Sequence, residues 1–162
     1  MSRTAGVDAV DRRIVAALQR DGRRPFTSIG RELGLSEAAV RQRVARLQAT
    51  GIMQVVAVAD PMALGYQAIA MVAISVDGRA RKQVAEAVGR LPEVSYLVLV
   101  AGSFDMLAEV VCEDNDHLLR LLEDLAGIEG VRATQTFMYL RLLKEAYTWS
   151  VAPEAEAAAD AG

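Results

Sequence analysis

Arg41, Gln42, Arg43 and Arg46 fall within six residues of one another, directly after Ser36, Glu37 and Ala38. Glutamine carries a donor and an acceptor on one planar amide and can pair with the edge of an adenine. Arginine grips phosphate or guanine. Angular positions at about 100° per residue organise this group. With Val40, Val44 and Leu47 turned inward, Ala38 and Gln42 point outward, and Arg41, Arg43 and Arg46 lie on the flanks. A small residue and a glutamine on the crest, bracketed by arginines, suit a helix inserted in a major groove. The candidate DNA-facing set is Thr27, Ser28, Ser36, Glu37, Ala38, Arg41, Gln42, Arg43 and Arg46. The blander alternative is an ordinary amphipathic helix with a solvated arginine face.

The elements that must position these residues are legible nearby. Over residues 27–47 the chain reads as two short helices joined at Gly34-Leu35-Ser36. Ile29 and Leu33 form an apolar i,i+4 pair on the first helix. Gly34 suits a left-handed stop, and Ser36 a following N-cap with Glu37 in the first turn, where the helix dipole favours it. Gly30 is small, as a close helix crossing requires. This is the pattern of a helix-turn-helix. Residues 8–21 add a third amphipathic helix through Val10, Ile14 and Leu18, stopped at Asp21-Gly22. Two helices alone bury too little surface, so this helix supplies the missing wall and Phe26 plugs the core.

The chain has 162 residues, 52% hydrophobic and 24% charged, with a net charge of −3. That composition predicts a folded protein of one ordinary domain or two small ones. No apolar run reaches the roughly 18–20 residues of a membrane span, and no signal-peptide core follows Met-Ser-Arg-Thr-Ala-Gly. The expected location is cytoplasmic, at the nucleoid. The single Cys112 excludes an internal disulfide and offers no metal cluster. The charge is unevenly divided. Residues 1–52 hold ten Arg against five acids, giving +5; the remainder holds eight basic and sixteen acidic residues, giving −8. An N-terminal module that faces a polyanion and a C-terminal module that does not are expected.

Residues 52–59 are short, apolar and rich in valine, which predicts a strand, broken at Asp60-Pro61. From Gln67 onward strands and helices alternate. Strands are predicted over 68–76, 94–101, 104–112 and 131–140. Helices are predicted after Asp77-Gly78, with Val84, Val88 and Leu91 inward, and after Asp114-Asn115-Asp116, with Leu118, Leu121, Leu122 and Leu125 inward. The order βαββαβ is that of a ferredoxin-like sandwich. Two helices can cover one face of such a sheet, yet its central strands are apolar on both. A second subunit is the simplest cover for the other face, and a two-fold dimer would place two recognition helices on one face of DNA.

At this point the chain resembles the Lrp/AsnC (leucine-responsive/asparagine-type, feast/famine) transcription regulators, over about residues 7–149. The matching features are Asp8, Asp11-Arg12, Ile14 and Leu18, then Gln19-Arg20-Asp21-Gly22-Arg23. Gly34-Leu35-Ser36, Val40, Arg43-Val44, Leu47 and Gly51-Ile52 follow. Asp60-Pro61, Leu64-Gly65, Leu91-Pro92-Glu93-Val94, residues 102–105, Gly130-Val131, Thr134 and Thr136 complete the series. The expected architecture is α+β. A three-helix, winged-type helix-turn-helix domain (7–52) leads through a linker strand and hinge (53–66) to a ferredoxin-like effector and dimerisation domain (67–149), with a mobile tail (150–162).

The resemblance implies a regulator that binds double-stranded DNA and senses a small molecule, usually an amino acid. It also implies homodimers that assemble further, into octamers or similar. No cofactor is implied beyond that effector. The candidate effector turn is Gly102, Ser103, Phe104 and Asp105: backbone N–H groups would meet a carboxylate and Asp105 an ammonium, with hydroxyls from Thr134 and Thr136. The alternative is a hairpin turn in which Asp105 bonds its own loop. Three features depart from the family pattern: Val55-Val56 stands where Gly-Tyr is frequent, Ala101 where a hydroxyl is common, and the acidic tail is extra. Trp149 reads as a packing anchor. An enzyme reading has poor material. His117 is the only histidine and sits where capping explains it, Ser103 lacks a nucleophile elbow, and no phosphate loop is present. An architectural DNA-wrapping protein that ignores metabolites would use the same helix and assembly.

Overall fold

The computed structural model describes residues 6–144, so the tail and Trp149 lie outside the described residues. The chain divides into two compact units, one containing the residues up to Ala57 and the other Val58–Leu143.

The first unit is built from α1 (Ala9–Arg20), α2 (Phe26–Leu33) and α3 (Glu37–Ala49). Asp8 and Asp11 form a reciprocal capping box at the start of α1, each side chain accepting the other's backbone N–H. Ser36 caps α3 by accepting from the Ala39 N–H at 3.2 Å. The core unites Ile14, Ala17 and Leu18 of α1 with Ile29 of α2 and Val40, Val44 and Leu47 of α3. Phe26 opens α2 and packs half-buried against that core, with the Arg41 guanidinium 5.6 Å from its ring centre. The turn depends on one close approach. A Cβ on Gly30 would stand 2.6 Å from the Leu35 carbonyl oxygen, a backbone atom that cannot step aside cheaply.

The expected linker strand is not formed: residues 53–60 belong to no ladder. Valine-rich sequence favours extended backbone, but a strand exists only where another edge accepts its hydrogen bonds. The chain instead folds back over the end of α3. Ile52 and Met53 both donate to the Leu47 carbonyl, and Met53 joins the helical core. Val55, Val56 and Val58 are left exposed, so no wing closes the helix-turn-helix among the described residues.

The second unit is a four-stranded antiparallel sheet in the order β2-β3-β1-β4, with two helices. Its strands are β1 (Ala68–Val76), β2 (Val94–Leu99), β3 (Met106–Cys112) and β4 (Val131–Met138); its helices are α4 (Arg81–Val88) and α5 (Asn115–Gly127). β2 and β4 end, and β3 begins, two residues inside the predicted spans, as ladder ends do when the partner strand stops. Ala68, Ala70, Val72, Ile74 and Val76 of β1 and the alternate residues of β3 face α4 and α5, meeting Val84, Val88, Leu118, Leu121 and Leu125. The opposite face is left uncovered by the described residues. Met71 pairs with Glu109 and Phe137 across it, and Tyr96 and Phe137 are exposed there. Even so, Ile69 and Ala73 on this face are buried by their cross-strand neighbours.

Gly30→Ala should destabilise the protein by about 1–3 kcal/mol, the usual range for overpacking against unyielding backbone. Urea unfolding of the variant against wild type measures this, and a difference below about 0.5 kcal/mol would remove the close-approach argument.

Candidate nucleic-acid interface and effector turn

The second helix of the helix-turn-helix, α3, holds its inner face through Val40, Val44 and Leu47, which leaves Ala38 and Gln42 exposed on the opposite side. Thr27, Ser36 and Glu37 are also exposed, whereas Ser28 is partly buried. The three arginines have different surroundings. Arg41 pairs with Glu37 one turn earlier and remains largely open to solvent. Arg43 donates to Asp8 at 2.6 Å and to Asp11 at 2.8 Å, and Arg46 donates to Asp11 and to the Gly6 carbonyl. Arg43 and Arg46 are therefore drawn to α1 rather than left at the outer face with Gln42. That linkage spans more than thirty residues, and the local pattern carried no sign of it beyond the acids at positions 8 and 11.

Asp11 has no solvent exposure. Burial pushes its carboxyl upward, but hydrogen bonds from Arg46, the Asp8 N–H and Arg43 outweigh burial and hold it below the ordinary value. Asp8 is also held low, first by the Arg43 hydrogen bond and then by the Asp11 N–H.

At the expected effector turn, Gly102 and Ser103 are exposed, and Phe104 and Asp105 are partly buried. Asp105 is occupied. Its Oδ2 accepts from the Val76 N–H at 3.0 Å and its Oδ1 from Arg81 Nη2 at 2.8 Å, with Arg132 Nη2 at 3.9 Å. The Val76 N–H and then Arg81 lower its carboxyl below the ordinary value. The pairing ties the turn to the end of β1 and the first residue of α4, so it is neither a loop-internal bond nor a free acceptor. Arg81 and Arg132 were missed in the sequence, lying 24 residues before and 27 after Asp105. Thr134 and Thr136 stand opposite Ile74 and Val72 on the helix-covered face, and β1 separates them from Met106, the residue after Asp105. An open groove of about 470 Å3 lies at the start of α4, lined by Asp77, Gly78, Arg79, Ala80, Gln83, Glu129 and Gly130, none of them in the expected effector set.

The remaining reactive groups have structural partners. Asp114 caps α5 through the His117 N–H, and the His117 ring meets Glu93 at 3.0 Å. Burial, then Glu93 and Asp114, push the Cys112 thiol up and away from reactivity. On the open sheet face Glu109 accepts from Ser95 at 2.8 Å and from Tyr139 at 2.9 Å. Burial and that bond push Tyr139 up to about 12.

Two family models match in tandem: the AsnC-type helix-turn-helix domain over residues 7–48 and the Lrp/AsnC ligand binding domain over 69–149. The chain belongs to the Lrp/AsnC family. It is thus a transcriptional regulator in which a DNA-binding helix-turn-helix precedes a ligand-binding domain. An HTH-type transcriptional regulator of Pyrococcus abyssi is 36% identical over 148 residues, covering 90% of this chain and 94% of its own. The leucine response regulatory protein of Mycobacterium tuberculosis is structurally similar, with a TM-score of 0.79 at 29% identity, covering 85% of this chain and 95% of that one. A Neisseria meningitidis transcriptional regulator, solved as an L-Met complex, gives a TM-score of 0.75 at 25% identity over 88% of this chain and 95% of its own. The candidate DNA-facing residues fall within the first matched segment and the candidate effector residues within the second.

Because Asp8 and Asp11 are depressed in the folded protein, they contribute stability above their unfolded value of about 3.9, lost as pH falls through the lower folded values. Thermal unfolding followed from pH 6 to pH 3 should show a steeper loss of Tm in wild type than in Asp11→Asn. Parallel profiles would mean that the Asp11 charge does not stabilise the fold.

Proposed function

We propose that this regulator binds specific DNA sequences through α3 and that a small zwitterion, an amino acid, modulates its binding or assembly. The observation that carries the first half is the exposed crest of Ala38 and Gln42, with Arg41 beside it and the opposite face of α3 sealed into the bundle. Gln42 is the base reader, and Arg41 exchanges Glu37 for a phosphate. Thr27, Ser28, Ser36 and Glu37, at the ends of α2 and α3, approach the backbone of the duplex. Specificity then rests on a short crest, and overall affinity on the surrounding cations.

The effector half is supported by charge geometry. Arg81 on Asp105 is an ion pair, and a zwitterion carries the same two charges on one small molecule. The ammonium of the effector replaces Arg81 on Asp105, while the Gly102-Ser103 backbone and the released guanidinium receive its carboxylate. The L-Met complex of the Neisseria relative fits this class of ligand.

The uncovered sheet face, with Tyr96, Met71 and Phe137 across it, suits the matching face of a second copy, so we read the working unit as a homodimer that assembles further. No helix among the described residues is long and apolar enough to cross a membrane. A cytoplasmic, nucleoid-associated regulator without catalytic activity accords with these features.

Two measurements test this. Duplexes selected from a random library should contain paired half-sites about 10 bp or a multiple apart, and Gln42→Ala should relax base preference within each half-site. Unchanged preference removes Gln42 from readout, and long phased protection without half-sites favours DNA wrapping. Thermal unfolding against each of the twenty amino acids should give one clear responder, stabilised by roughly 2.7 kcal/mol at 100 times its dissociation constant. Asp105→Asn should lose that shift while unfolding cooperatively without ligand; a retained shift moves the site elsewhere.

A further inference from the structure

Asp11 is the one buried charged side chain among the described residues, and its three hydrogen-bond donors come from two arginines of α3 and the cap of its own helix. Arg43 Nη1 bridges Asp11 and Asp8, and Arg46 uses Nη2 on Asp11 and Nη1 on the Gly6 carbonyl. Two guanidinium groups thus meet two carboxylates in a cluster of no net charge. The apolar contacts of α3 through Val40, Val44 and Leu47 set which face turns inward, and the ionic cluster adds a second, directional constraint on its rotation. Arg43 and Arg46 project from one flank, and Arg41 projects from the other, over Phe26 of α2. At about 100° per residue Gln42 lies roughly opposite the inward face, between these two flanks. A tether on one flank therefore sets which residue forms the crest.

We propose that Asp11 is a positioning residue for DNA recognition: through Arg43 and Arg46 it fixes the rotation of α3 so that Gln42 meets the bases, and it withholds both guanidinium groups from phosphate. The proposal rests on the DNA-binding function proposed above. It assigns Arg43 and Arg46, which the sequence placed in the contact set, to holding the helix. Asp11 is buried with a carboxyl held below its ordinary value, so it meets both guanidinium groups as a carboxylate at neutral pH.

The test compares salt dependence on two probes, a random-sequence 30-bp duplex and a duplex selected from a random library. Arg46→Gln should leave the log K against log salt slope of the random duplex unchanged, since Arg46 contacts no phosphate. Asp11→Asn frees Arg46, so the slope should steepen by about 0.9, the value of one phosphate contact. The ratio of selected to random affinity should fall at least tenfold as the crest rotates. A merely structural role would weaken both duplexes together and would not steepen the slope. Should Asp11→Asn fail to fold by circular dichroism, Arg46→Gln decides alone. A slope shallower by about 0.9 in that variant, with wild type binding normally, overturns this inference and spares the DNA-binding proposal. Absence of wild-type binding to both duplexes overturns the DNA-binding proposal itself, and this inference with it.

Discussion

A carboxylate shut away from water must be neutralised by partners that reach it with good geometry, or it will take up a proton. Asp11 meets that condition with two arginines from one helix and a backbone N–H from the capping box of another. Much of the N-terminal unit follows from it. The start of α1 lies alongside α3, Asp8 is recruited as a second acceptor, and Gly6 is drawn in through its carbonyl. The apolar core of Ile14, Ile29, Val40, Val44 and Leu47 makes the three helices adhere, while the ionic cluster joins α1 to α3 at fixed hydrogen-bonding points. Apolar contact is non-directional, whereas a two-armed hydrogen-bonded cluster is directional.

The second unit answers a different constraint. Its central strand β1 carries hydrophobic side chains on both faces, and the described residues provide helices for only one. Ala73 and Ile69 find shelter between neighbouring strands, but Tyr96 and Phe137 do not. The polar bridge from Ser95 through Glu109 to Tyr139 crosses this same face, so the surface is not uniformly greasy. A face of that kind gives a matching copy both apolar area and fixed hydrogen-bonding points, which favours one alignment over sliding.

How much was legible follows the distance over which each feature is encoded. The helix-turn-helix was readable because its signals are local: Gly34 in the left-handed conformation, Ser36 as cap, and apolar spacing along α3 all act within one or two turns. The βαββαβ order was readable for the same reason, through alternation and turn chemistry. Residues 52–59 misled because valine content reports willingness to extend, not the presence of a partner edge. The ties of Arg43 and Arg46 to Asp11, and of Asp105 to Arg81, were not legible, because they join residues 24 to 35 positions apart whose meeting depends on the packed fold. Thr134 and Thr136 were rightly placed on one face of their strand. Which face that was depended on pairing with β1, and pairing is a long-range fact.

These ties alter how the charge of the N-terminal region should be understood. The balance of ten arginines against five acids gives the net charge but not which cations are free to meet a duplex. Asp8, Asp11, Glu32 and Glu37 are each already joined to an arginine, and three of those partners lie on α3. Attraction to phosphate is blind to sequence, so every cation released to it raises affinity for all DNA alike. On the proposed reading, pairing Arg43 and Arg46 inside the protein lowers that indiscriminate contribution and leaves the crest as the larger share of what remains. On that reading the carboxylates that hold α3 in place also restrain how strongly it is drawn to DNA in general, and selectivity gains from both effects at once.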